Sequence, residues 1–76
     1  MNTLEIRAAW DDQAKVWIAT SEDVPGLCAQ AETFDELVEI VTDLTPVLLA
    51  ANRVTIPAQI PLHILAERTA LIRAAA

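Results

Sequence analysis

The sequence predicts a small α+β domain in the order β-β-β-α-β, an antiparallel sheet with one long helix packed on one face. Three observations predict it. Two runs rich in strand formers, Thr3 to Trp10 and Lys15 to Ser21, flank a polar break. A Pro-Gly turn, Val24-Pro25-Gly26-Leu27, then separates the second run from a third. Finally Phe34, Leu37, Val38, Val41, Leu44 and Leu48 recur at the three- and four-residue steps of one helical face.

In the first run Leu4, Ile6, Ala8 and Trp10 fall on one face and Glu5 and Arg7 on the other, which is strand periodicity. Asp11-Asp12-Gln13-Ala14 breaks it. Val16, Trp17, Ile18 and Thr20 make the second strand. The break lacks the Gly that favours the tightest hairpins. With Asp12 and Gln13 as a two-residue turn, Trp17 falls opposite Ala8 and diagonal to Trp10, both indoles on one face. A longer loop shifts that register. Pro25 suits the first central position of a type II turn, and Gly26, the only glycine, supplies the positive φ needed next. Leu27 to Ala31 reads as a third short strand, with Leu27, Ala29 and Ala31 on one side and Cys28 and Gln30 on the other.

Thr33 caps the helix, and Glu36 stands three residues on, as in a capping box. Asp35, Glu36, Glu39, Thr42 and Asp43 share the face opposite the apolar one. Pro46 falls in that polar arc and removes the hydrogen bond to the Thr42 carbonyl, a change worth about 3 kcal/mol in a helix interior. Water satisfies that carbonyl on the solvent side. One bent helix, Phe34 to Ala51, is therefore expected. The alternative is two helices divided at Thr45-Pro46. Ile40, Val47 and Ala51 widen the apolar arc to about 200°. Either loops and tail wrap the helix there, or these three residues form a self-association surface. Asn52-Arg53 ends the helix, and Val54 to Pro61, with two prolines, reads as an extended connector. Leu62 to Ala76 has two readings: a strand at its start, where Leu62, Ile64 and Ala66 alternate with His63, Leu65 and Glu67, or a helix over Ala66 to Arg73 by propensity.

The 76 residues read as a single domain, 1–76, too short to bury a large core. Yet 54% of them are apolar, a surplus that points to a homo-dimer or higher oligomer, or to a partner surface. The net charge is −6, from eleven acids against five Lys and Arg. Nucleic-acid affinity comes mainly from cations neutralising phosphates, so direct DNA or RNA binding is not expected. A basic partner is. One cysteine allows neither an internal disulfide nor a multi-cysteine metal site. No signal peptide and no membrane-length apolar run are visible, so a cytoplasmic protein is expected.

No catalytic constellation, cofactor motif or metal-ligand pattern emerges. His63, the only histidine, has a pKa range suited to acid-base work, but a lone His on a strand is ordinarily exposed or simply hydrogen-bonded. Cys28 has no base beside it in any motif, and burial as a small hydrophobe is its default. Asp11-Asp12 is turn chemistry. Trp10 and Trp17 suit core packing or an interface anchor better than base stacking, because no basic residues surround them. Asp35, Glu36, Glu39 and Asp43 have the chemistry to bind a divalent metal or to pair as acid and base, but at i,i+4 spacing on a helix such acids are more often a solvated face, one that can also meet the basic residues of a partner.

Taken together, Asp11-Asp12, Val16-Trp17-Ile18-Ala19, Asp23-Val24-Pro25-Gly26-Leu27, Ala29, Thr33 and Glu36-Leu37 resemble the HicB-like antitoxin family, in particular its short single-domain members. The resemblance covers Ile6 to Leu44 by motif and the rest by element order. The family often has Gly at the hairpin turn and before the capping Thr; Ala14 and Ala31 stand in those places here. The resemblance implies a partial ribonuclease H-like fold without nuclease carboxylates, and a non-catalytic role neutralising a small basic RNA-cleaving toxin of the HicA type. Longer relatives add a helix-turn-helix or ribbon-helix-helix domain for operator DNA, which this sequence is expected to lack. Two alternatives remain: an orphan structural homo-oligomer, and a small ligand-binding domain or enzyme using His63 or Cys28.

Overall fold

A computed structural model describes residues 3–75. Strands β1 (Leu4–Asp11), β2 (Val16–Thr20) and β3 (Cys28–Ala31) precede helix α1 (Phe34–Ala51), and β4 (Leu62–Glu67) follows it. The four strands form one sheet in the order β3-β2-β1-β4. β1 pairs antiparallel with β2, and β2 with β3. β4 pairs parallel with β1, so the sheet is mixed rather than antiparallel throughout. The connectivity explains this. Two hairpin-like steps leave β3 running in the same direction as β1. A single helix then carries the chain back along the sheet, and β4 starts again from the same end.

The β1-β2 register also differs from a two-residue turn. Trp10 lies directly opposite Trp17, and Ala8 opposite Ala19. Residues 12–15 form a longer loop, closed by the Lys15 N–H donating to the Asp11 carbonyl (2.8 Å). Asp11 Oδ1 accepts from the Gln13 and Ala14 amides, and Lys15 takes the left-handed conformation, φ +59°, that a glycine would otherwise supply. Because the shift is two residues, every side chain keeps its predicted face.

The Pro-Gly turn forms as its residues require. Leu27 N–H donates to the Val24 carbonyl (3.2 Å), and Gly26 sits at φ +80°. Past Thr20 the ladder ends, and side chains replace it. Ser21 Oγ donates to the Glu5 carbonyl (2.6 Å), while Asp23 Oδ2 accepts from the Glu5 N–H (2.9 Å). Val24 and Leu27 are thereby held in the core.

The helix starts where Thr33 Oγ1 accepts from the Glu36 N–H (3.2 Å) and runs unbroken through Pro46 to Ala51, so it is not split. Pro46 and Thr42 are both exposed, which leaves the unbonded Thr42 carbonyl beside solvent. The buried stripe is Leu37, Val41, Thr45 and Leu49, flanked by half-buried Phe34, Leu44 and Leu48. Thr45 is the one buried polar side chain among the described residues; its hydroxyl donates to the Val41 carbonyl at 2.7 Å. Beyond the helix, Arg53 adopts φ +56°, Arg53 N–H bonds the Ala50 carbonyl (3.2 Å) and Val54 N–H bonds the Leu49 carbonyl (2.9 Å). This is a Schellman ending with arginine at the usual glycine position.

The core lies between α1 and one face of the sheet, where Leu4, Ile6, Ala8, Ala19, Ala29 and Ala31 meet Leu37, Val41 and Leu49. Four of the six sheet positions are alanine, which lets the helix sit close. Complete burial of Leu37 and Val41 is worth about 1.5–3 kcal/mol each. The helix lies mainly over β2 and β3. The connector, through Ile56 and Ile60, covers part of what remains near Leu4 and Leu62. The helical option for Ala66 to Arg73 is not adopted: β4 runs to Glu67 and residues 68–75 have no regular structure. Ala76 lies outside the described residues.

Candidate functional site

The helix places Asp35, Glu36, Glu39 and Asp43 on its outer surface, where Asp35, Glu36, Glu39 and Asp43 meet solvent. Asp35 and Glu36 stand in the first turn, where the helix dipole favours negative charge. Glu39 and Asp43 have no such reason. The pairs 35/39, 36/39 and 39/43 set like charges at i,i+3 or i,i+4, each destabilising by about 0.2–0.5 kcal/mol. Among the described residues the one salt bridge is Lys15 to Asp12 (3.1 Å), far along the chain from this face. The four acids therefore form a continuous anionic strip that no cation of the described residues neutralises.

Ile40, Val47 and Ala51 lie along another exposed stripe of the same helix; Ile40 is 40% and Val47 62% exposed. Loops and tail do not wrap them.

The sheet face away from the helix carries the remaining candidates. His63 is exposed there, in register with Glu5. Cys28 is exposed too, opposite Thr20, contrary to the expected burial. Strand parity decides this, because Ala29 and Ala31 take the core-facing positions of β3. His63 and Cys28 sit on opposite edge strands, with β1 and β2 between them, so the structure does not bring them together. A polar hollow of about 290 Å³, lined by Glu5, Arg7, Thr20, Ser21, Glu22 and Asp23, opens where β1 starts and β2 ends. Sequence reasoning missed it, because Ser21 and Asp23 reach Glu5 only through the loop described above. Among the described residues no three His, Cys, Asp or Glu side chains are grouped as metal ligands.

The indoles are packing groups. Trp10 and Trp17 meet edge to face at 5.6 Å between ring centres, and Trp17 meets Phe34 likewise at 5.5 Å. The Arg68 guanidinium lies 4.4 Å over the Trp10 ring, tying the residue after β4 to the end of β1. The Asp12 carboxyl is held below the usual range, first by its hydrogen bond from Lys15, then by one from the Trp10 indole N–H (3.3 Å). Both stabilise its charged form. No helix among the described residues is long and apolar enough to cross a membrane.

Three comparisons with known proteins bear on this fold and these surfaces. The structure resembles the crystal structure of hypothetical protein TTHA1013 from the extremely thermophilic bacterium Thermus thermophilus, with a TM-score of 0.74 and 37% sequence identity. That match covers 96% of this chain and 100% of that one. No curated protein matches the chain. The family model of a domain of unknown function, DUF1902, matches residues 3–76, and the chain belongs to that family.

Proposed function

We propose that this chain is a non-catalytic, HicB-like binding module that neutralises a small basic RNA-cleaving toxin of the HicA type through its acidic helix face. The observation that carries the proposal is the strip Asp35, Glu36, Glu39 and Asp43: exposed, mutually repelling and without a cation partner among the described residues. The fold does not need Glu39 or Asp43 to be acidic, and their repulsion opposes the helix they stand on. A basic partner converts that repulsion into attraction and accelerates encounter. The order β-β-β-α-β with its helix on one sheet face supports the partial ribonuclease H-like, HicB-like reading.

The test has two stages. Tagged protein is purified from its own host and the bound species weighed, and any small basic protein recovered is assayed for RNA cleavage. The reading expects a stoichiometric complex in which cleavage is suppressed. Glu36→Lys with Glu39→Lys then weakens binding at least tenfold, about 1.4 kcal/mol, and restores cleavage. Unchanged cleavage in the presence of wild-type protein refutes the antitoxin role. Unchanged affinity of the double variant refutes the helix face as the contact.

A further inference from the structure

We infer that two copies of this chain pair through the outer edge of β4, each laying its C-terminal arm, residues 68–75, along the other and seating Ile72 in an apolar groove. The inference is independent of any toxin.

The radius of gyration is 14.8 Å, against about 11 Å for a compact chain of this length, and the longest dimension is 56 Å against 23 and 18 Å for the others. The accessible surface is 5879 Å², about 1,300 Å² more than roughly 4,600 Å² for a folded chain of 8.3 kDa. Residues 68–75 are all exposed, with Leu71 at 97% and Ile72 at 91%. Among the described residues, these two large aliphatic side chains have nothing to pack on. The surplus area is of the order that each partner buries in a stable interface, about 800 Å².

The chain also carries a receptor. A groove of about 190 Å³ lies between α1 and the start of β4; its lining is mainly apolar, with Leu4, Leu49, Ile56, Ile60 and Leu62, and includes Thr42 and Thr45 on the helix side. Cavities near 150 Å³ hold a benzene ring, so there is room for one large aliphatic side chain. Charge agrees. Residues 1–67 hold all eleven acids and three cations, a net −8, whereas the arm holds Arg68 and Arg73 and no acid, a net +2.

Backbone geometry then selects a register. β4 is an edge strand. The Pro61 carbonyl accepts from the Leu4 N–H (2.9 Å), so odd-numbered residues of this segment turn their backbone groups toward β1. Even-numbered residues turn theirs outward, and Leu62, Ile64 and Ala66 present unpaired donors and acceptors along the outer edge. A two-fold axis makes the pairing antiparallel. Centring it on Glu67 or Arg68 sets like charges directly opposite, which is destabilising. Centring it on Ala66 sets alanine against alanine, Arg68 against Ile64, and Ile72 against Ile60 on the groove's rim. Ile72 also has the parity of Leu62 and Ile64, the half-buried positions that face the core side of the sheet. The sheet then runs through both copies with eight strands.

The test uses the full chain. Sedimentation equilibrium from micromolar to submillimolar concentration is expected to show a dimer, and Ile72→Asp a folded monomer by circular dichroism. In a Cys28→Ser background, a short thiol-to-thiol linker is expected to join two copies of Ala66→Cys. It should not join Ala70→Cys, whose copies lie eight residues apart along the paired strands, about 27 Å. A wild-type monomer throughout the range overturns the inference. So does a dimer that ignores Ile72→Asp, or one that cross-links at residue 70 and not at 66. Sensitivity of such a dimer to Val47→Asp would assign the interface to the exposed helix stripe instead.

Discussion

Replacing Arg53 isolates one backbone effect. Arg53 occupies the position after the helix cap with φ +56°, where the Schellman bonds from Arg53 and Val54 close the last turn. An L-residue in that conformation is disfavoured by roughly 1–2 kcal/mol, a strain glycine does not have. Glycine's extra freedom in the unfolded chain takes back about 0.4–1 kcal/mol. Removing the cation near the helix C-terminus loses a further 0.3–1 kcal/mol or so, whatever replaces it. Arg53→Gly is therefore expected to be near neutral, and Arg53→Ala to destabilise. The two variants should differ by about 1 kcal/mol, or about 4–8 °C in Tm for a domain of this size. Urea and thermal unfolding, followed by tryptophan fluorescence at one protein concentration, measure it. Equal stabilities, or alanine above glycine, would show that the left-handed position at residue 53 is not strained and that the ending is held by contacts instead.

Two other outcomes follow from local geometry. Gly26→Ala should lose about 1 kcal/mol net, roughly 1–2 kcal/mol from its φ of +80° less about 0.4–1 kcal/mol returned by the less free unfolded chain, because the added Cβ would meet Leu48 Cδ2 at an ordinary 3.8 Å; a loss above about 4 kcal/mol, beyond what that conformation costs, would point to a steric clash instead. Asp12 has its folded pKa lowered beneath the ordinary value of 3.8, so its contribution is present above that pH and disappears as pH falls through the folded value. The stability advantage of wild type over Asp12→Asn should hold at neutral pH and vanish in acid below that range. An advantage that grew in acid would refute the assignment.

Much of this fold is legible in the sequence because its signals are local. The alternation of Leu4 to Trp10, the Pro25-Gly26 pair, the Thr33 cap and the apolar spacing of α1 each depend on neighbours within a few residues. All appear where the pattern puts them. The helix survives Pro46 because the residue falls on the exposed arc, a matter of phase that spacing reveals. The β1-β2 register does not follow from composition. The loop without glycine closes through Lys15 in a left-handed conformation, and a side chain's willingness to adopt that depends on the hydrogen bonds Asp11 makes around it. Cys28 lies outside although its residue type favours burial, since parity with Ala29 and Ala31 outranks the average habit of cysteine. The acidic strip is legible by the helical wheel, while its lack of partners needed the positions of every cation among the described residues.

By itself, then, the sequence determined which residues make the first three strands, the turn and the helix, which faces are apolar, and where the acids collect, while leaving residues 62–76 open between strand and helix. These follow from periods of 2 and 3.6 residues and from the dihedral limits of proline and glycine. Only the tertiary structure decided that β4 forms and lies parallel beside β1, that none of the described residues covers Leu71 and Ile72, and that Ser21 and Asp23 replace a ladder at Glu5. Each joins residues distant in sequence, and pairing energy at long range depends on which edges and grooves the rest of the chain leaves open.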